Sequence, residues 1–283
     1  MPTYRKLEGQ HHPLARRVRR LLRSGELIDV RSDDARSGEP SGRGDVLLET
    51  PRMVEDALAG SVPISALLVR SSAKSKFAGL AERLSAATAL YEVAPAVFDT
   101  LVTTETSPGL LALAEQPSWR EQDLFPPGSP ALILVLAGLQ DPGNLGTILR
   151  AAEAFGATGV VLAPGTVSPY NAKALRATAG AIFRIPILRG LPAGDIVSLF
   201  RRKRVKLFAT VVSGGLPPAR ADFAAPLAVV FGSEAAGIPP EFRSAGEPLT
   251  IPLAPHAESL NVASAASVIL YEIARQRESE PRL

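Results

Sequence analysis

Continuous apolar runs in the second half of the chain predict buried β-strands. Residues 131–136, 160–162, 205–212 and 227–231 are hydrophobic almost throughout. Strands that are covered on both faces carry such continuous runs, whereas half-exposed strands alternate between apolar and polar residues. Segments with helix-like composition separate the runs, so this half predicts a parallel sheet with helices on both of its sides.

The first part of the chain predicts a smaller α/β unit. Apolar residues at helical spacing indicate one amphipathic helix, and a second helix opens at Thr50-Pro51, a capping residue followed by proline at the first turn. Short apolar runs that predict strands lie between and after these helices. The positions are Leu14, Val18, Leu21 and Leu22 on the helix face, and residues 46–48, 64–69 and 110–113 in the strands.

Two breaks in composition divide the chain. Residues 31–45 are polar and rich in Gly, Ser and Asp, which is typical of a loop. Residues 115–130 carry four prolines and are typical of a linker between domains. We therefore expect an N-terminal domain over 1–115, a linker over 116–130 and a second domain over 131–283.

Composition excludes several classes of protein. The chain has no cysteine, which removes disulfides and thiolate metal sites and fits a reducing cytoplasm. Three scattered histidines do not suggest a metal centre. There is no apolar run of about 18 residues, and no apolar core follows the basic N-terminus. We expect a cytoplasmic protein with neither a membrane span nor a bound metal.

Positive charge is concentrated in two places. The formal net charge is only +3, but residues 1–30 hold seven Arg and Lys against three acids, and residues 201–206 read RRKRVK. Basic clusters of this kind predict binding to a polyanion. Solvated helix faces explain the same clusters equally well.

The loops that follow the buried strands carry the polar chemistry, and ligands of open parallel sheets bind beyond the carboxyl ends of the strands. The first loop, residues 141–150, reads DPGNLGTILR, in which Pro and Gly predict a turn and Asn144 predicts the start of a helix. Arg150 then lies nearly two turns along that helix. A helix cap followed by a surface arginine is the plainer interpretation.

Two further loops complete the pattern. Residues 231–239, FGSEAAGIP, place two glycines five residues apart after a strand, without the lysine of a phosphate-binding loop. Residues 251–264 contain Ser259, Leu260 and Asn261 immediately before a helix with an apolar stripe. Each loop alone is explained by a turn or a cap.

Taken in order, the three loops resemble the three characteristic motifs of the SpoU/TrmH family of RNA methyltransferases. The motifs are Asn144 to Arg150, then Gly232, Glu234 and Gly237, then Ile251-Pro252 with Ser259-Leu260-Asn261. The resemblance covers residues 131–277 and implies an α/β fold with a parallel-sheet SPOUT domain. It also implies a deep trefoil knot formed by the C-terminal segment, and a homodimer through the knot region.

The resemblance also implies a reaction and a cofactor. Family members transfer a methyl group from S-adenosylmethionine to a ribose 2′-hydroxyl of RNA, so we expect ribosomal RNA as partner and substrate. The catalytic residues implied are Arg150, Asn144, Glu234, Ser259 and Asn261. The cofactor-binding residues implied are Gly232, Ile251, Leu253 and Leu260.

Arg150 matches the family's candidate for acting on the ribose oxygen, as a base or as an electrostatic stabiliser. An arginine guanidinium is a poor base, because its pKa lies above about 12. Stabilising the developing alkoxide and orienting the oxygen is the role that physical chemistry favours.

The N-terminal domain resembles the substrate-binding domain of some SpoU enzymes, which is similar to ribosomal protein L30e. The order of elements, the basic first helix and Glu49-Thr50-Pro51-Arg52 carry this resemblance, although Thr50 stands where the family usually has glycine. Arginines on this domain can neutralise RNA phosphates without reading sequence. The predicted RNA-binding residues are Arg16, Arg17, Arg20, Arg23 and Arg52.

Other functions fit parts of the sequence. A methyltransferase of the same fold that acts on the ribose of tRNA differs only in substrate. A ribosome-assembly factor that binds RNA without catalysis is disfavoured by the presence of all five candidate catalytic residues. A nucleotide-binding Rossmann enzyme is disfavoured because neither phosphate-loop fingerprint occurs.

Overall fold

The computed structural model describes residues 2–24, 44–102 and 107–279. The chain divides into two compact units, Met1–Ser118 with Tyr170–Ala172, and Trp119–Pro169 with Lys173–Leu283. The loop predicted over 31–45 lies outside the described residues except for its last two positions.

The first unit is a five-stranded mixed sheet with helices beside it. Its strands lie in the order β1-β4-β3-β5-β2, and β5 runs antiparallel to both of its neighbours. The predicted strands and the two predicted helices are all present. In chain order the elements are β1 (Arg5–Leu7), α1 (Pro13–Ser24), β2 (Asp45–Leu48), α2 (Pro51–Ala59), β3 (Ile64–Arg70), α3 (Ala78–Glu82), β4 (Ala89–Val93), α4 (Pro95–Phe98) and β5 (Leu110–Glu115).

Local chemistry explains where the helices of this unit begin. Thr50 caps α2, because its hydroxyl accepts a hydrogen bond from the Met53 amide at 3.2 Å, and Pro51 occupies the first turn, where it has no amide hydrogen to leave unpaired. In α1 the side chains of Ala15 and Val18 are fully buried against the sheet, with Leu14 beside them. The arginines between them therefore face outward, as the helical spacing predicts.

The second unit is a six-stranded sheet in which every described strand pair is parallel, as the continuous apolar runs predict. The strand order is β11-β9-β10-β6-β7-β8. In chain order the elements are β6 (Leu132–Ala137), α5 (Pro142–Ala154), β7 (Gly159–Leu162), α6 (Ala172–Thr178), β8 (Ile187–Arg189), α7 (Ala193–Arg202), β9 (Lys206–Thr210), β10 (Leu227–Gly232), α8 (Pro240–Ala245), β11 (Glu247–Leu249) and α9 (Val262–Ser279).

The central strands of this sheet are buried from solvent. All six residues of β6 are buried, and so are the first five residues of β10, its neighbour in register from Leu227 opposite Leu132 to Gly232 opposite Ala137. Burying apolar area at about 25 cal/mol per Å² is the main favourable contribution to folding. These two buried strands, whose carboxyl ends lead into the first and second loops, therefore contribute to the stability of the unit along their whole length.

The start of α5 differs from the prediction. The helix begins at Pro142, and Asp141, not Asn144, is its N-cap: the Asp141 carboxylate accepts hydrogen bonds from the amides of Gly143 and Asn144. Aspartate before proline is itself a cap signature. Because Asp141 does the capping, the side chain of Asn144 is left to bond elsewhere.

The predicted linker, 116–130, overlaps the second unit. It contains a short 3₁₀ helix, Glu121–Leu124, whose Leu124 side chain is completely buried in the core of that unit. A Cβ placed on Gly159 would lie 2.3 Å from Leu124 Cδ2, so only glycine at the start of β7 leaves room for this leucine.

The C-terminal helix α9 packs along α5 and is fixed at its far end by one arginine. The guanidinium of Arg277 donates hydrogen bonds of 2.9–3.2 Å to the carbonyls of Pro130, Ala131, Phe223 and Ala225. Burial lowers the pKa of Arg277, the cost of removing a cation from water. The end of α9 is thus tied to the amino ends of β6 and β10.

Close packing of α5 on α6 depends on Gly146. A Cβ at this position would lie 2.5 Å from Ala177 Cβ and 2.6 Å from the Ala174 carbonyl oxygen. We expect Gly146→Ala to lower the free energy of unfolding by about 1–3 kcal/mol, because one helix must move away from the other. Urea denaturation followed by circular dichroism measures this change in the free energy of unfolding.

The matched control is Gly194→Ala in α7, where a Cβ would meet nothing within 4 Å. This variant should leave stability unchanged or raise it by up to about 1 kcal/mol, since alanine favours a helix. Equal denaturation midpoints for the two variants would contradict the packing argument.

Candidate active site

The carboxyl ends of the central strands bring the three predicted loops together. Because β6, β10, β9 and β11 are parallel, the segments that follow them all leave from the same edge of the sheet. The first loop follows β6, the second follows β10, and the segment after β11 leads to α9. Loops that are distant in sequence therefore meet at this edge, as the strand pattern predicts.

A chain of side-chain hydrogen bonds joins the three loops. The amide nitrogen of Asn144 donates to Glu234 Oε1 at 3.0 Å, and the amide oxygen of Asn144 accepts from Asn261 Nδ2 at 3.1 Å. Each residue comes from a different motif. One asparagine thus uses its donor and its acceptor to hold the second and third loops against the first.

Asn261 and Asn144 lie at the starts of two helices, and both helix starts are capped by side chains. Asn261 caps α9, because its side-chain oxygen accepts from the amides of Ala263 at 2.9 Å and Ser264 at 3.4 Å. At the start of α5, Lys173 Nζ lies 3.2 Å from Asp141. Hydrogen bonds from the Gly143 amide and from Lys173 hold the pKa of Asp141 below its ordinary value. Asp141 therefore stays ionised as a cap at neutral pH.

The second loop closes into a tight turn. The Gly237 amide donates to the Ser233 carbonyl at 2.9 Å, and Gly237 has a positive φ of 67°. A Cβ on Gly232 would lie 2.2 Å from the carbonyl carbon of Gly237. Glycine at 232 is required for this close approach of backbone to backbone, which leaves main-chain groups accessible to a ligand.

A cavity of about 240 Å³ lies among these loops. Six of the nine predicted catalytic and cofactor residues line it, including all four assigned to the cofactor. Other lining residues were not predicted for the site, and three of these come from the end of β9 and the two residues after it. The six predicted residues are Gly232, Glu234, Ile251, Leu253, Ser259 and Leu260, and the three at the end of β9 are Thr210, Val211 and Val212.

Apolar side chains form much of the cavity wall. Val212 is 72% exposed and Leu260 is 39% exposed, although both are large hydrophobic residues. An exposed apolar surface beside convergent polar groups is typical of a ligand site. The signal for Val212 was present in the sequence, since it ends the apolar run 205–212 after strand β9 has finished.

Arg150 does not line this cavity. It lies on α5, six residues after Asn144, which at 3.6 residues per turn places it about 120° away around the helix. Its side chain is exposed and makes no hydrogen bond or ion pair with any residue in the described ranges. Sequence spacing places Arg150 near the loops along the helix, but the helical rotation turns it away from Asn144.

The predicted RNA-binding arginines differ in their surroundings. Arg16 is exposed, and none of the described residues pairs with it, while Arg17 pairs with Asp45 through a 2.6 Å hydrogen bond. Arg52 pairs with Asp56 at 3.1 Å. Arg20 is exposed on the same helix. The side chain of Arg23 lies outside the described residues.

The described ranges contain neither a cluster of metal-binding side chains nor a helix that could span a membrane. No group of three or more His, Asp or Glu side chains in residues 2–24, 44–102 and 107–279 could hold a metal ion. Over the same ranges, every helix is too short or too polar to cross a membrane.

Comparison with known proteins gives concordant matches. Residues 131–271 match the model of the SpoU rRNA Methylase family. An uncharacterized tRNA/rRNA methyltransferase of Synechocystis is 37% identical over 83% of this chain and 85% of its own length. The 23S rRNA (guanosine(2553)-2′-O)-methyltransferase RlmP of Bacillus subtilis is 31% identical over 80% of this chain and 87% of its own length.

Two crystal structures with bound AdoMet are similar over most of the chain. The SpoU methyltransferase AviRb from Streptomyces viridochromogenes has a TM-score of 0.76 at 29% identity, covering 83% of this chain and 91% of AviRb. An rRNA methyltransferase from Sinorhizobium meliloti has a TM-score of 0.77 at 28% identity, covering 96% and 98%.

The Asn144 hydrogen bonds can be tested by exchanging donor and acceptor. Asn144→Asp removes the donor to Glu234 and brings two carboxylates together, so it should lower the free energy of unfolding by about 1 kcal/mol at pH 7. Adding Glu234→Gln to this variant supplies a new donor and should restore most of the loss. Urea denaturation of the single and double variants measures the coupling.

Glu234→Gln alone is the control, because a glutamine oxygen can still accept from Asn144. Additive effects of the two substitutions, with no recovery in the double variant, would show that the hydrogen bond does not couple the loops.

Proposed function

Because this chain belongs to the SpoU rRNA methylase family, we propose that it transfers the methyl group of S-adenosylmethionine to a ribose 2′-hydroxyl of ribosomal RNA. RlmP is named as a 2′-O-methyltransferase of 23S rRNA, and the crystal structure of AviRb contains AdoMet. The observation that carries the proposal is the convergence of the three motif loops around one cavity, joined by Asn144.

The cavity suits the nucleoside end of S-adenosylmethionine. The adenine is flat and apolar on its faces, which matches the exposed side chains of Val212 and Leu260. Its edge needs hydrogen-bond donors and acceptors, which main chain supplies in fixed geometry beside Gly232 and Ile251. A volume of about 240 Å³ would accommodate part of the cofactor.

S-adenosylmethionine, when bound, supplies an activated methyl group, so the protein is left with binding and orientation. Asn144 and Asn261 position the loops so that the ribose oxygen can be held in line with the methyl group. Ser259 and Glu234 lie at the cavity and offer hydrogen-bonding groups to the ribose and its neighbours. Arg150 would stabilise the negative charge that develops on the 2′-oxygen.

A homodimer would bring Arg150 to the site. Arg150 is exposed on α5, while Val268 and Tyr271 are 45% and 58% exposed on α9, the helix that packs along α5. The ring of Tyr271 also packs edge-on against Phe155 at the end of α5. A second copy that covers this apolar face would place the Arg150 of one subunit beside the cavity of the other.

Two finer features follow from the family. We propose that the segment after β10 forms the deep trefoil knot, which is supported by the packing of α9 on α5 and by its attachment through Arg277. We also propose that the first unit is L30e-like and binds RNA phosphates through the exposed Arg16 and Arg20. We further propose that the reaction takes place in the cytoplasm, which is supported by the ribosomal RNA methyltransferases among the relatives.

The reaction is tested with purified protein and labelled S-adenosylmethionine. Ribosomal RNA and tRNA from a strain that lacks the gene are offered separately, and the labelled nucleotide is identified by mass spectrometry. We expect label on a ribose of ribosomal RNA. Label on a base would contradict the chemistry, label on tRNA alone would support the tRNA alternative, and cofactor binding without transfer would support an assembly factor.

Mixing two inactive variants tests the role of Arg150 across the dimer. Arg150→Ala should lower kcat by at least about 100-fold while cofactor binding, measured by calorimetry, is retained. Gly232→Ala should lose cofactor binding, because its Cβ meets the Gly237 backbone. Co-expressed subunits should regain about a quarter of the activity, since half of randomly paired dimers hold one intact site.

Each alternative has its own outcome in this experiment. If Arg150 acts within its own chain, the mixed dimers stay inactive. If Arg150→Ala alone keeps near-normal turnover, the arginine has no role in the reaction.

A further inference from the structure

A second basic cluster lies far from the cavity in the same unit. Residues 201–206 hold five cations in six positions, at the end of α7 and the start of β9. None of the three motifs includes these residues. The cluster is exposed except for Val205.

The topology places this cluster at the opposite edge of the sheet. Lys206 is the first residue of β9 and pairs with Leu227 at the start of β10, whereas the cavity is lined by the ends of both strands. Five residues of strand span about 16 Å. The cluster and the methyl-transfer site therefore lie at opposite ends of strand β9, separated by about the length of that strand.

Most of the positive charge in the cluster is not neutralised. Arg202 pairs with Glu121 at 3.6 Å, and Lys206 pairs with Glu247 at 2.8 Å. Lys203 lies over the ring of Phe125, 5.2 Å from its centroid, which leaves its charge in place. Five cations and two paired acids give a local charge of 5 − 2 = +3, as large as the formal net charge of the whole chain.

The guanidinium groups of Arg201 and Arg204 have no partner among the described residues. Both side chains are exposed, and neither makes a hydrogen bond or an ion pair within residues 2–24, 44–102 or 107–279. Arg201 borders a concave surface of about 340 Å³ whose floor is apolar, formed by residues such as Phe200 and Leu207. Both guanidinium groups, of which that of Arg201 lies at the concave surface, can reach a ligand without first breaking an ion pair.

Stabilisation of α7 explains only part of this cluster. Cations in the last turn of a helix interact favourably with its dipole, which accounts for Arg201 and Arg202. Arg204 lies beyond the helix and has a φ of 54°, a conformation that glycine adopts without steric conflict. The Arg204 backbone helps to cap α7, because its amide donates to the Arg201 carbonyl at 3.2 Å. Glycine would supply the same amide with less backbone strain, so the cap does not account for the arginine side chain at this position.

We propose that residues 201–206, here named the amino-edge patch, bind phosphates of the same RNA whose ribose is methylated at the opposite edge. This proposal rests on the proposed RNA substrate. Guanidinium groups bind phosphate in a two-pronged geometry, and phosphate contacts add affinity without reading sequence. A folded ribosomal RNA is large enough to contact both edges, whereas a short oligonucleotide is not.

The first test measures how salt weakens RNA binding. Full-length protein is titrated with deproteinised 23S rRNA and with a trinucleotide across a range of KCl concentrations. Arg201→Gln with Arg204→Gln should reduce the slope of log affinity against log salt by about 1.4–1.8, the equivalent of two phosphate contacts. Trinucleotide binding, cofactor binding and kcat at saturating rRNA should not change.

Arg220→Gln is the matched control, because Arg220 is exposed in the same unit and its guanidinium has no partner among the described residues. This variant removes one positive charge in the same way, and its slope of log affinity against log salt should equal that of the unsubstituted protein within experimental error. An unchanged slope in the double variant, or an equal change per charge in Arg220→Gln, would overturn the proposal.

The second test uses the absence of cysteine from the whole chain. Ser198→Cys places a single thiol on the exposed face of α7, three residues before Arg201, where a benzophenone probe can be attached. Irradiation in the presence of 23S rRNA should crosslink the RNA. Binding of rRNA without crosslinking would overturn the proposal. Binding to phosphatidylserine vesicles is measured in parallel. If the double variant loses vesicle binding but keeps its full affinity for rRNA, the proposal is also overturned.

The two proposals fail in different ways. If the salt slope responds to the double variant but no methyl group is transferred, the amino-edge patch stands and the proposed function does not. If ribosomal RNA is methylated with an unchanged slope, the reverse holds.

Discussion

The amide group of Asn144 is the contact on which the site depends. Its nitrogen bonds to Glu234, 90 residues away in the chain, and its oxygen bonds to Asn261, 117 residues away. An amide is the side-chain group that offers a donor and an acceptor of similar geometry on one short stem. Because both are used, the first loop cannot move without displacing the other two, and the cavity walls keep their relative positions.

The strand pattern and the order of motifs were sufficient to predict which loops meet. Continuous apolar runs identified β6 and β10 as buried parallel strands, and parallel strands necessarily end at one edge. The predicted start of α5 was wrong. Asn144 is a good capping residue, but Asp141, which stands directly before a proline, is a better one. That error hid the free side chain of Asn144, which bridges the loops because it does not cap the helix.

Rotation around a helix explains a second difference between prediction and structure. Sequence spacing places Arg150 close to Asn144 along α5, but it does not by itself show that the two face different directions. Val212 was missed for a related reason: an apolar residue at the end of a strand looks like core until the strand is known to stop at Thr210. Pattern reasoning identifies elements better than it identifies the side chains just beyond them.

Arg277 has a consequence for how the protein responds to its solvent. The guanidinium is held by four backbone carbonyls, so its attachment involves no opposite charge that dissolved ions could screen. Contacts between exposed arginines and RNA phosphates, in contrast, weaken steeply as ionic strength rises. A concentrated salt wash should therefore strip nucleic acid from the purified protein while α9, and with it the cap at Asn261, keeps its place.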